Sequence, residues 1–162
     1  MDVVILIGSE SDYELIKDAV GILREFGISY RLEVTSAHRS PERTRSLIAD
    51  SEKKGAKVFI AAAGRAAHLA GVVAGHTTAP VIGVPIESGG LGGLDALLST
   101  VQMPKGVPVA TMGLGKAGAS NAAILAVQIL SVRSPVLRKK LEAYKKAMAA
   151  QVESASKKLP KA

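Results

Sequence analysis

One short stretch of the sequence, from Val34 to Thr44, contains residue types that could do chemistry. It reads VTSAHRSPERT, it continues an apolar run, and it places His38 directly beside Arg39. Histidine gains and loses a proton near neutral pH, and arginine can hold an anionic group through two parallel hydrogen bonds. For such a pair standing alone, a solvated turn is the favoured interpretation, so the surroundings of the pair must decide whether it has a chemical role.

A second polar segment, GSESD, follows the first apolar run of the chain and covers residues 8–12. The free backbone amides at a helix start, together with the hydroxyls of Ser9 and Ser11, would form a cradle for a phosphate. An ordinary helix cap by Ser11 or Asp12 is the alternative. The segment matches neither the G-x-G-x-x-G pattern nor a Walker loop, so it does not indicate a dinucleotide or a nucleoside triphosphate.

The other two histidines fall in or just after the segment AAAGRAAHLAG, residues 61–71. Gly64 and the alanines would let a ligand approach the backbone closely. His68 is predicted one turn into the next helix, where a structural histidine is an equal alternative to a functional one. His76 is predicted to cap the end of that helix or to lie on the surface.

Apolar, strand-like runs alternate along the chain with segments of helical periodicity. The predicted strands are Val3–Ile7, Tyr30–Val34, Lys57–Ala63, Pro80–Pro85 and Val107–Met112. The predicted helices are 12–26, Pro41–Lys54, Ala66–Ala74, a short one after the glycine-rich loop 85–93, 118–132 and Pro135–Lys158. This alternation predicts a three-layer α/β/α sandwich with a parallel sheet, of the flavodoxin or Rossmann type, with a protruding C-terminal helix.

Sheets of this kind bind ligands beyond the carboxyl ends of their strands. The polar segments described above all follow predicted strands, so we expect them to meet at one edge of the sheet. The loop 85–93 lies at the same edge and would be either a lid or a flexible connector. The segment GLGKAGASNAAILA after the fifth strand would be a second anion-binding helix start or a helix packed tightly in a subunit interface.

Length and composition set the outer limits. The 162 residues predict a single domain, 1–162, with an α/β core over 1–132 and a C-terminal helix and tail over 133–162. There are no cysteines, which excludes disulfides, thiolate metal sites and a cysteine nucleophile. No apolar run is long enough for a membrane span, and the first residues resemble a strand rather than a signal peptide. We therefore expect a cytoplasmic location.

The net charge of +7, from 21 Lys and Arg against 14 Asp and Glu, fits a nucleic acid or a small anion as partner. Much of the excess lies after Arg133 in the predicted last helix, and aromatic residues make up only 3% of the chain. Stacking platforms for bases are nearly absent, so no nucleic-acid partner is expected. No metal-binding spacing and no G-x-S-x-G motif is present. The residues thus predict a metal-free phosphate-ester enzyme with His38 as acid/base and Arg39 as anion clamp.

Five segments taken together resemble the PurE family of purine biosynthesis. They are GSESD, SAHRSPER, AGRAAHLAGVVAGHTTAPVIGVP, LGGLDALLSTVQMPKGVPVAT and GKAGASNAAILAVQIL. The similarity runs in order from about Val3 to Leu130. It implies an N5-carboxyaminoimidazole ribonucleotide mutase, which moves a carboxylate from the exocyclic nitrogen to ring carbon 4 through transient CO2 and aminoimidazole ribonucleotide. It also implies that no cofactor is needed and that the subunits form an octamer.

The resemblance also implies roles for individual residues. His38 would be the catalytic acid/base that removes the carbon 4 proton. Ser9, Ser11 and Arg39 would hold the phosphate, and Asp12 the ribose hydroxyls. The base and CO2 pocket would be lined by Ser36, Ala37, Gly64, His68 and Leu69. Subunit contacts are expected at the segment Gly115–Ala126 and at an apolar stripe on the last helix, Leu137, Leu141, Tyr144, Met148 and Val152.

Two positions depart from the mutase pattern. Arg65 stands where mutases usually have a second glycine, and Ala70 where they have proline. A related branch, the aminoimidazole ribonucleotide carboxylases that use CO2 directly, tends to have arginine after the first glycine. That activity remains the alternative, and a non-catalytic ribonucleotide-binding or assembly module is a further one. We expect the Arg65 side chain to point outward into water rather than inward as a cation that needs an anionic partner.

Overall fold

The computed structural model describes residues 1–160 and contains one parallel sheet of five strands. The strands are β1 (Val3–Ile7), β2 (Tyr30–Val34), β3 (Val58–Gly64), β4 (Val81–Ile86) and β5 (Ala110–Thr111). Their order across the sheet is β2-β1-β3-β4-β5, which is the flavodoxin-like order. The chain leaves β1 for β2 on one side and later passes to β3 on the other, so the ligand crevice is expected above the end of β1.

Six helices complete the fold in residues 1–160. They are α1 (Tyr13–Phe26), α2 (Pro41–Lys53), α3 (Leu69–Ala74), α4 (Leu94–Val101), α5 (Gly115–Ser131) and α6 (Pro135–Lys157). A short 3-10 helix, Glu10–Asp12, precedes α1. The chain divides into two compact units, Met1–Val127 and a second that begins at Gln128. The sequence had placed the division after residue 132, and the last two residues of its predicted tail lie outside the described residues.

The central strands are buried on both faces. In β1, Val4 and Leu6 pack in one apolar cluster with Leu47 and Ile48 of α2 and with residues of α3. Alternate residues of a strand point to opposite faces, and Val3, Ile5 and Ile7 of β1 are equally buried. Helices therefore cover both faces of the sheet, which is why these strands are continuous apolar runs rather than alternating ones.

The ends of the elements follow the local chemistry of the chain. Gly27 adopts the left-handed conformation with φ 75° and ends α1, as its position after the apolar periodicity predicts. Pro41 and Pro135 each occupy the first turn of a helix. The Ser134 Oγ atom caps α6 by accepting a hydrogen bond from the Leu137 amide at 3.4 Å.

Two predicted elements are shorter than expected. The predicted fifth strand, Val107–Met112, is reduced to two residues, Ala110 and Thr111, which pair with Ile82 and Gly83 of β4. The predicted helix Ala66–Ala74 begins only at Leu69. His68 therefore lies immediately before α3 rather than one turn inside it, and its side chain is free of the packing that a helix interior imposes.

The two segments assigned to subunit contacts behave differently. In α5, the side chains of Ala119, Ala122, Ala123 and Ala126 are completely buried within one copy of the chain. These four side chains pack inside a single copy of the chain, so a subunit contact of Gly115–Ala126 would have to use its more exposed residues, such as Lys116 and Asn121, and the contact stays a prediction. In the second unit, α6 leaves several apolar side chains exposed. No helix within residues 1–160 is long and apolar enough to cross a membrane.

Candidate active site

A cleft of about 600 Å³ opens at the carboxyl edge of the sheet. Its lining residues are Gly8, Ser9, Ser11, Asp12, Ser36, Ala37, His38, Arg39, Ala63, Gly64, Arg65, Ala66, His68, Leu69 and Ser88. All ten residues predicted from the sequence are in this set, and they come from the ends of β1, β2 and β3. The structure therefore brings the predicted site together in one place, while the role of each residue stays a prediction.

The order of the strands explains how distant residues meet. β1 lies between β2 and β3 in the sheet, and Ile7 is paired with both Val34 and Ala62. The loops after β2 and β3 therefore lie on either side of the point where β1 ends at Gly8. A Cβ atom on Gly8 would be 3.4 Å from the Ala63 Cβ, which is ordinary van der Waals contact, so the end of β1 packs closely against the end of β3.

One side of the cleft is built to receive an anion. The Ser11 hydroxyl donates to the Ser9 Oγ at 2.9 Å, and the Arg39 Nη2 atom donates to the Gly8 carbonyl oxygen at 3.4 Å. Serine hydroxyls, an arginine and the backbone amides of a helix start are the groups that bind phosphate in proteins. Ser9 precedes the 3-10 helix and Asp12 precedes α1, but neither side chain makes a capping hydrogen bond. Helix capping therefore does not explain this segment.

Asp12 is the carboxylate at the floor of this side. Asp12 is only 8% exposed, although the residues on either side of it in the sequence are exposed. Burial raises the pKa of this carboxyl, while hydrogen bonds from the Ser9 backbone and the Ser11 side chain lower it by less. A buried carboxylate with unused acceptor capacity suits a pair of hydroxyl donors.

The backbone turn that carries His38 is held by hydrogen bonds between residues 36 and 40, including one from the Ser40 Oγ to the Ser36 carbonyl oxygen at 3.2 Å. The Ser36 amide donates to the Ser40 Oγ at 3.0 Å, the Ser40 amide donates to the Ser36 carbonyl at 3.0 Å, and the Arg39 amide donates to the Ser36 Oγ at 3.1 Å. Pro41 then starts α2. The two serines therefore fix the backbone of the turn from which the His38 side chain projects.

His38 and His68 contact each other across the cleft. The His38 Nε2 and His68 Nδ1 atoms are 2.8 Å apart, and the rings meet edge to face with centroids 4.8 Å apart at an interplanar angle of 77°. The residues are 30 positions apart, and nothing in their local sequence indicates the pairing. His76, by contrast, lies with its Nδ1 atom 2.8 Å from the Val72 carbonyl oxygen, as its predicted role at the end of the helix requires.

The other side of the cleft is formed by the ends of β3 and β4. A Cβ atom on Gly64 would collide with the Ser88 Oγ and would lie 3.1 Å from the Ile86 carbonyl oxygen. Gly64 thus makes room for the loop after β4, whereas the sequence assigned its small size to a ligand. Ser88 was missed as a site residue, although the rule that ligands bind at strand ends could have found it, since it follows β4 by two residues.

Arg65 also lines the cleft. Its side chain is exposed, as expected for a residue directed into water, but it borders the cleft rather than lying apart from it. Its φ of 56° is the only positive value at a non-glycine residue within residues 1–160. Backbone strain of this kind costs about 1–2 kcal/mol. It occurs at the position where the mutase pattern described in the sequence analysis usually has a second glycine. The Arg65 Nε atom lies near Gly89, in the loop after β4.

The charges of the cleft favour an anionic ligand. Two arginines, Arg39 and Arg65, and two histidines face a single lining carboxylate, that of Asp12. Among the described residues, no group of three or more His, Cys, Asp and Glu could hold a metal ion. The arrangement can bind an anion at one side, hold hydroxyls at Asp12 and transfer a proton at the histidine pair.

Comparison with known proteins points to one family. The family model described as AIR carboxylase matches residues 2–151. The chain is 49% identical to the N5-carboxyaminoimidazole ribonucleotide mutase of Pyrococcus horikoshii over 155 residues, which is 96% of this chain and 86% of that protein. It is 52% identical to the mutase of the same name from Bacillus subtilis over 138 residues, which is 85% of each chain.

Solved structures agree with these sequence matches. Treponema denticola PurE superposes with a TM-score of 0.89 at 30% identity, covering 98% of both chains. A variant of PurE2 from the same organism superposes with a TM-score of 0.90 at 29% identity, covering 99% of this chain and 100% of that one. The similarity therefore extends over nearly the whole chain.

Proposed function

The chain belongs to the AIR carboxylase family, and we propose from this premise that it acts as an N5-carboxyaminoimidazole ribonucleotide mutase in purine biosynthesis. It moves a carboxylate from the exocyclic nitrogen of the ribonucleotide to ring carbon 4. The intermediates are CO2 and aminoimidazole ribonucleotide, both held in the cleft. The curated relatives of this name share about half of their residues with the chain.

The observation that carries the proposal is the position of His38. This ring lies in a cleft whose anion-binding side is formed by Ser9, Ser11 and Arg39 and whose opposite side is formed by small residues at Ala63 and Gly64. A ribonucleotide needs the first side for its phosphate, and a released CO2 molecule needs the second. The acid/base group between them is what a carboxylate transfer within one substrate requires.

The substrate lies across several strand ends. Neighbouring strands are about 4.8 Å apart, so the ends of β2, β1, β3 and β4 span about 14 Å. The phosphate binds at Ser9, Ser11 and Arg39, and the ribose hydroxyls donate to Asp12. The imidazole ring then lies beside His38, Ser36 and Ala37, with its carboxylate toward Gly64, His68 and Leu69.

The proton count of the reaction explains the need for an acid/base group. Cleavage of the carbamate releases CO2 and leaves the electron pair on the exocyclic nitrogen, which takes up one proton. Ring carbon 4 then bonds to the CO2 carbon, and loss of the carbon 4 proton returns its electron pair to the ring. One proton is consumed and one is released, so His38 donates in the first step, accepts in the last and ends in its starting state.

A second candidate is aminoimidazole ribonucleotide carboxylase activity, with CO2 taken up directly from solution. Arg65 is the observation that favours it, because this exposed cation borders the cleft at the side assigned to CO2. The remaining segments of the site keep the mutase pattern, including His68 and Arg39, so the mutase is the activity that we propose. Both candidates use the same phosphate site and the same base.

The proposal includes two broader features. The subunits assemble into an octamer, supported by the apolar side chains that α6 leaves exposed. The enzyme works in the cytoplasm, where purine nucleotides are made. Neither feature affects the assignment of the cleft.

A steady-state assay with each carboxylate donor tests the proposed function. The purified protein is given either the carbamate substrate or aminoimidazole ribonucleotide with bicarbonate, and carboxyaminoimidazole ribonucleotide formation is followed. Turnover of the carbamate without added bicarbonate supports the mutase. Turnover that requires aminoimidazole ribonucleotide and bicarbonate supports the carboxylase. Binding of the nucleotide without turnover of either donor would leave a non-catalytic ribonucleotide-binding module.

A further inference from the structure

The contact between His38 and His68 limits which atom of His38 can act on the substrate. A neutral imidazole has one N–H donor and one lone pair. The His38 Nε2 atom is already engaged with the His68 Nδ1 atom at 2.8 Å, which is within hydrogen-bond distance. The Nδ1 atom is therefore the nitrogen of His38 that is left to face a ligand.

The same contact has two possible proton arrangements, and each makes a different ring the base. If the His38 Nε2–H donates to the His68 Nδ1 lone pair, then His38 keeps a lone pair on its free Nδ1 atom. If the His68 Nδ1–H donates to the His38 Nε2 lone pair, then the lone pair that remains free is on His68 Nε2. The direction of one hydrogen bond thus decides which histidine can accept a proton from the substrate.

We infer that His38 Nε2–H donates to His68 Nδ1, and that His68 is a positioning residue that fixes the tautomer of His38 and stabilises its protonated form. This inference rests on the proposed function and adds to it a role for His68 beyond lining the pocket. His68 acts through His38 rather than on the reacting atoms.

Two features of the structure favour this direction. The backbone of the turn that carries His38 is held by the hydrogen bonds of Ser36 and Ser40, so the ring projects from a fixed point, as a base requires. His68 lies immediately before α3 and is exposed, so water can accept a hydrogen bond from its Nε2–H while its Nδ1 atom accepts from His38. A neutral acceptor is the role that suits this position.

The proton transfer is then balanced. In the first step the imidazolium form of His38 gives its Nδ1 proton to the exocyclic nitrogen. The Nδ1 lone pair that this leaves then takes the carbon 4 proton, and the electron pair of the carbon–hydrogen bond returns to the imidazole ring of the substrate. His38 becomes an imidazolium whose Nε2–H stays hydrogen-bonded to the neutral His68 Nδ1. A hydrogen bond from a charged donor is about twice as strong as a neutral one, so His68 stabilises the state in which His38 carries the proton.

Variants at His68 separate hydrogen bonding from packing. In His68→Asn, the side-chain oxygen can occupy the place of Nδ1 and accept the same bond, whereas His68→Ala removes the acceptor. Because His68 is exposed, neither change is expected to unfold the protein. We expect His68→Ala to lower kcat by about 10- to 100-fold with KM changed little, from the strength of a charge-assisted hydrogen bond. His68→Asn is expected to recover most of that loss. His76→Gln, which removes the histidine at the other end of α3, is the matched control and keeps the wild-type rate.

Nitrogen NMR of the resting enzyme tests the tautomer directly and does not depend on activity. Magic-angle spinning ¹⁵N spectra at about pH 8, above the usual titration range of histidine, distinguish a protonated from an unprotonated ring nitrogen. His76 is an internal reference with its proton on Nδ1, because the Val72 carbonyl oxygen can only accept. We expect the opposite tautomer, with the proton on Nε2, for both His38 and His68. Spectra of His76→Gln and His68→Asn assign the signals.

Several results would overturn the inference. In the NMR spectra, a proton on His38 Nδ1 would contradict it. In the assay, a kcat of His68→Ala within threefold of the wild type would contradict it, as would a His68→Asn variant as slow as His68→Ala. Failure of the wild-type protein to turn over either donor would instead refute the proposed function, and the NMR spectra would still report the direction of the hydrogen bond. The two failures are therefore distinguishable.

Discussion

Gly64 lies so close to Ser88 that a Cβ atom on Gly64 would overlap the Ser88 Oγ. Gly64 is the last residue of β3 and is paired with Ile86, the last residue of β4. The contact therefore places the loop after β4 directly against the end of β3, at one side of the cleft. The absence of a single methyl group at residue 64 decides where the loop after β4 can lie.

Gly64→Ala is expected to destabilise the protein and to widen this side of the cleft. Overpacking of this kind costs about 1–3 kcal/mol, measured as a lower free energy of unfolding in denaturant. Ser88→Ala in the same chain removes the colliding oxygen and should recover most of the loss. Gly90→Ala is the matched control, because its Cβ would meet nothing within 4 Å. Equal stability of Gly64→Ala and Gly90→Ala would contradict the argument.

His38→Asn is expected to keep the fold and the affinity for the ribonucleotide while losing turnover. An asparagine side chain can still hydrogen-bond to His68 but cannot take up the carbon 4 proton. General acid/base groups contribute roughly 10²- to 10⁴-fold to a rate. Calorimetric titration with aminoimidazole ribonucleotide checks the binding, and a steady-state assay checks the rate. A variant that retains more than about a third of the wild-type rate would show that His38 is not the acid/base.

Arg65→Gly is expected to leave conversion of the carbamate nearly unchanged and independent of added bicarbonate. The variant also places glycine at a φ of 56°, where an L residue is strained. Glycine at this position removes backbone strain of about 1–2 kcal/mol. Because glycine also has greater freedom in the unfolded chain, part of this gain is lost. The melting temperature of Arg65→Gly should therefore be equal to or above that of the wild type.

Arg65→Ala is the matched comparison, since it lacks the guanidinium group but keeps the strained backbone. If the cation has no role in the chemistry, the glycine and alanine variants have equal activity and differ only in stability. Activity that appears only with aminoimidazole ribonucleotide and high bicarbonate, and that collapses in both variants, would replace the mutase by the carboxylase.

Asp12→Asn is expected to stabilise the protein at neutral pH. Burial raises the pKa of Asp12 above its ordinary value of 3.8, so the charged form is disfavoured in the folded state. The folded chain holds the Asp12 proton more tightly than the unfolded chain, so the neutral carboxyl contributes stability below its ordinary pKa. That contribution is lost as the pH rises through the raised pKa of the folded state. The gain in unfolding free energy of Asp12→Asn should therefore be largest near pH 7 and shrink as the pH approaches 4.

The exposed carboxylate of Asp18, on α1, provides the control. Asp18→Asn should change stability little, as surface substitutions usually do. In the activity assay, Asp12→Asn should raise KM, because the carboxylate that accepts the ribose hydroxyls is gone. A constant stability difference between pH 4 and pH 8 would show that burial does not shift the titration of Asp12.

Assembly is expected to bury the part of the apolar stripe of α6 that a single copy leaves exposed, since Leu141 is already buried within one copy. Met148 and Val152, two members of the stripe, are 42% and 71% exposed in a single copy of the chain. Light scattering should give a mass several times that of one chain. Val152→Asp should shift the mass toward the monomer, while Gln151→Asp, at the neighbouring exposed position, should not. A wild-type monomer at micromolar concentration would exclude the assembly.

The sequence alone determined most of the framework of this protein. The bounds of β1 and β2 were predicted to the residue, because each is an apolar or alternating run ended by glycine or polar residues. The end of α1 at Gly27 and the start of α6 at Pro135 follow from residues that allow few other conformations. The site residues could be predicted because parallel strands present their carboxyl ends at one edge, so residues that follow the strands must lie near each other.

Only the tertiary structure decided the contacts across that edge. The sequence assigned separate roles to His38 and His68, and their hydrogen bond arises because the loops after β2 and β3 both lie beside the end of β1. The collision that Gly64 avoids with Ser88 depends on the pairing of β3 with β4, and the length of β5 depends on how many of its residues pair with β4. Local propensity acts over a few residues, whereas these distances are set by strand order, register and packing of chain segments far apart in sequence.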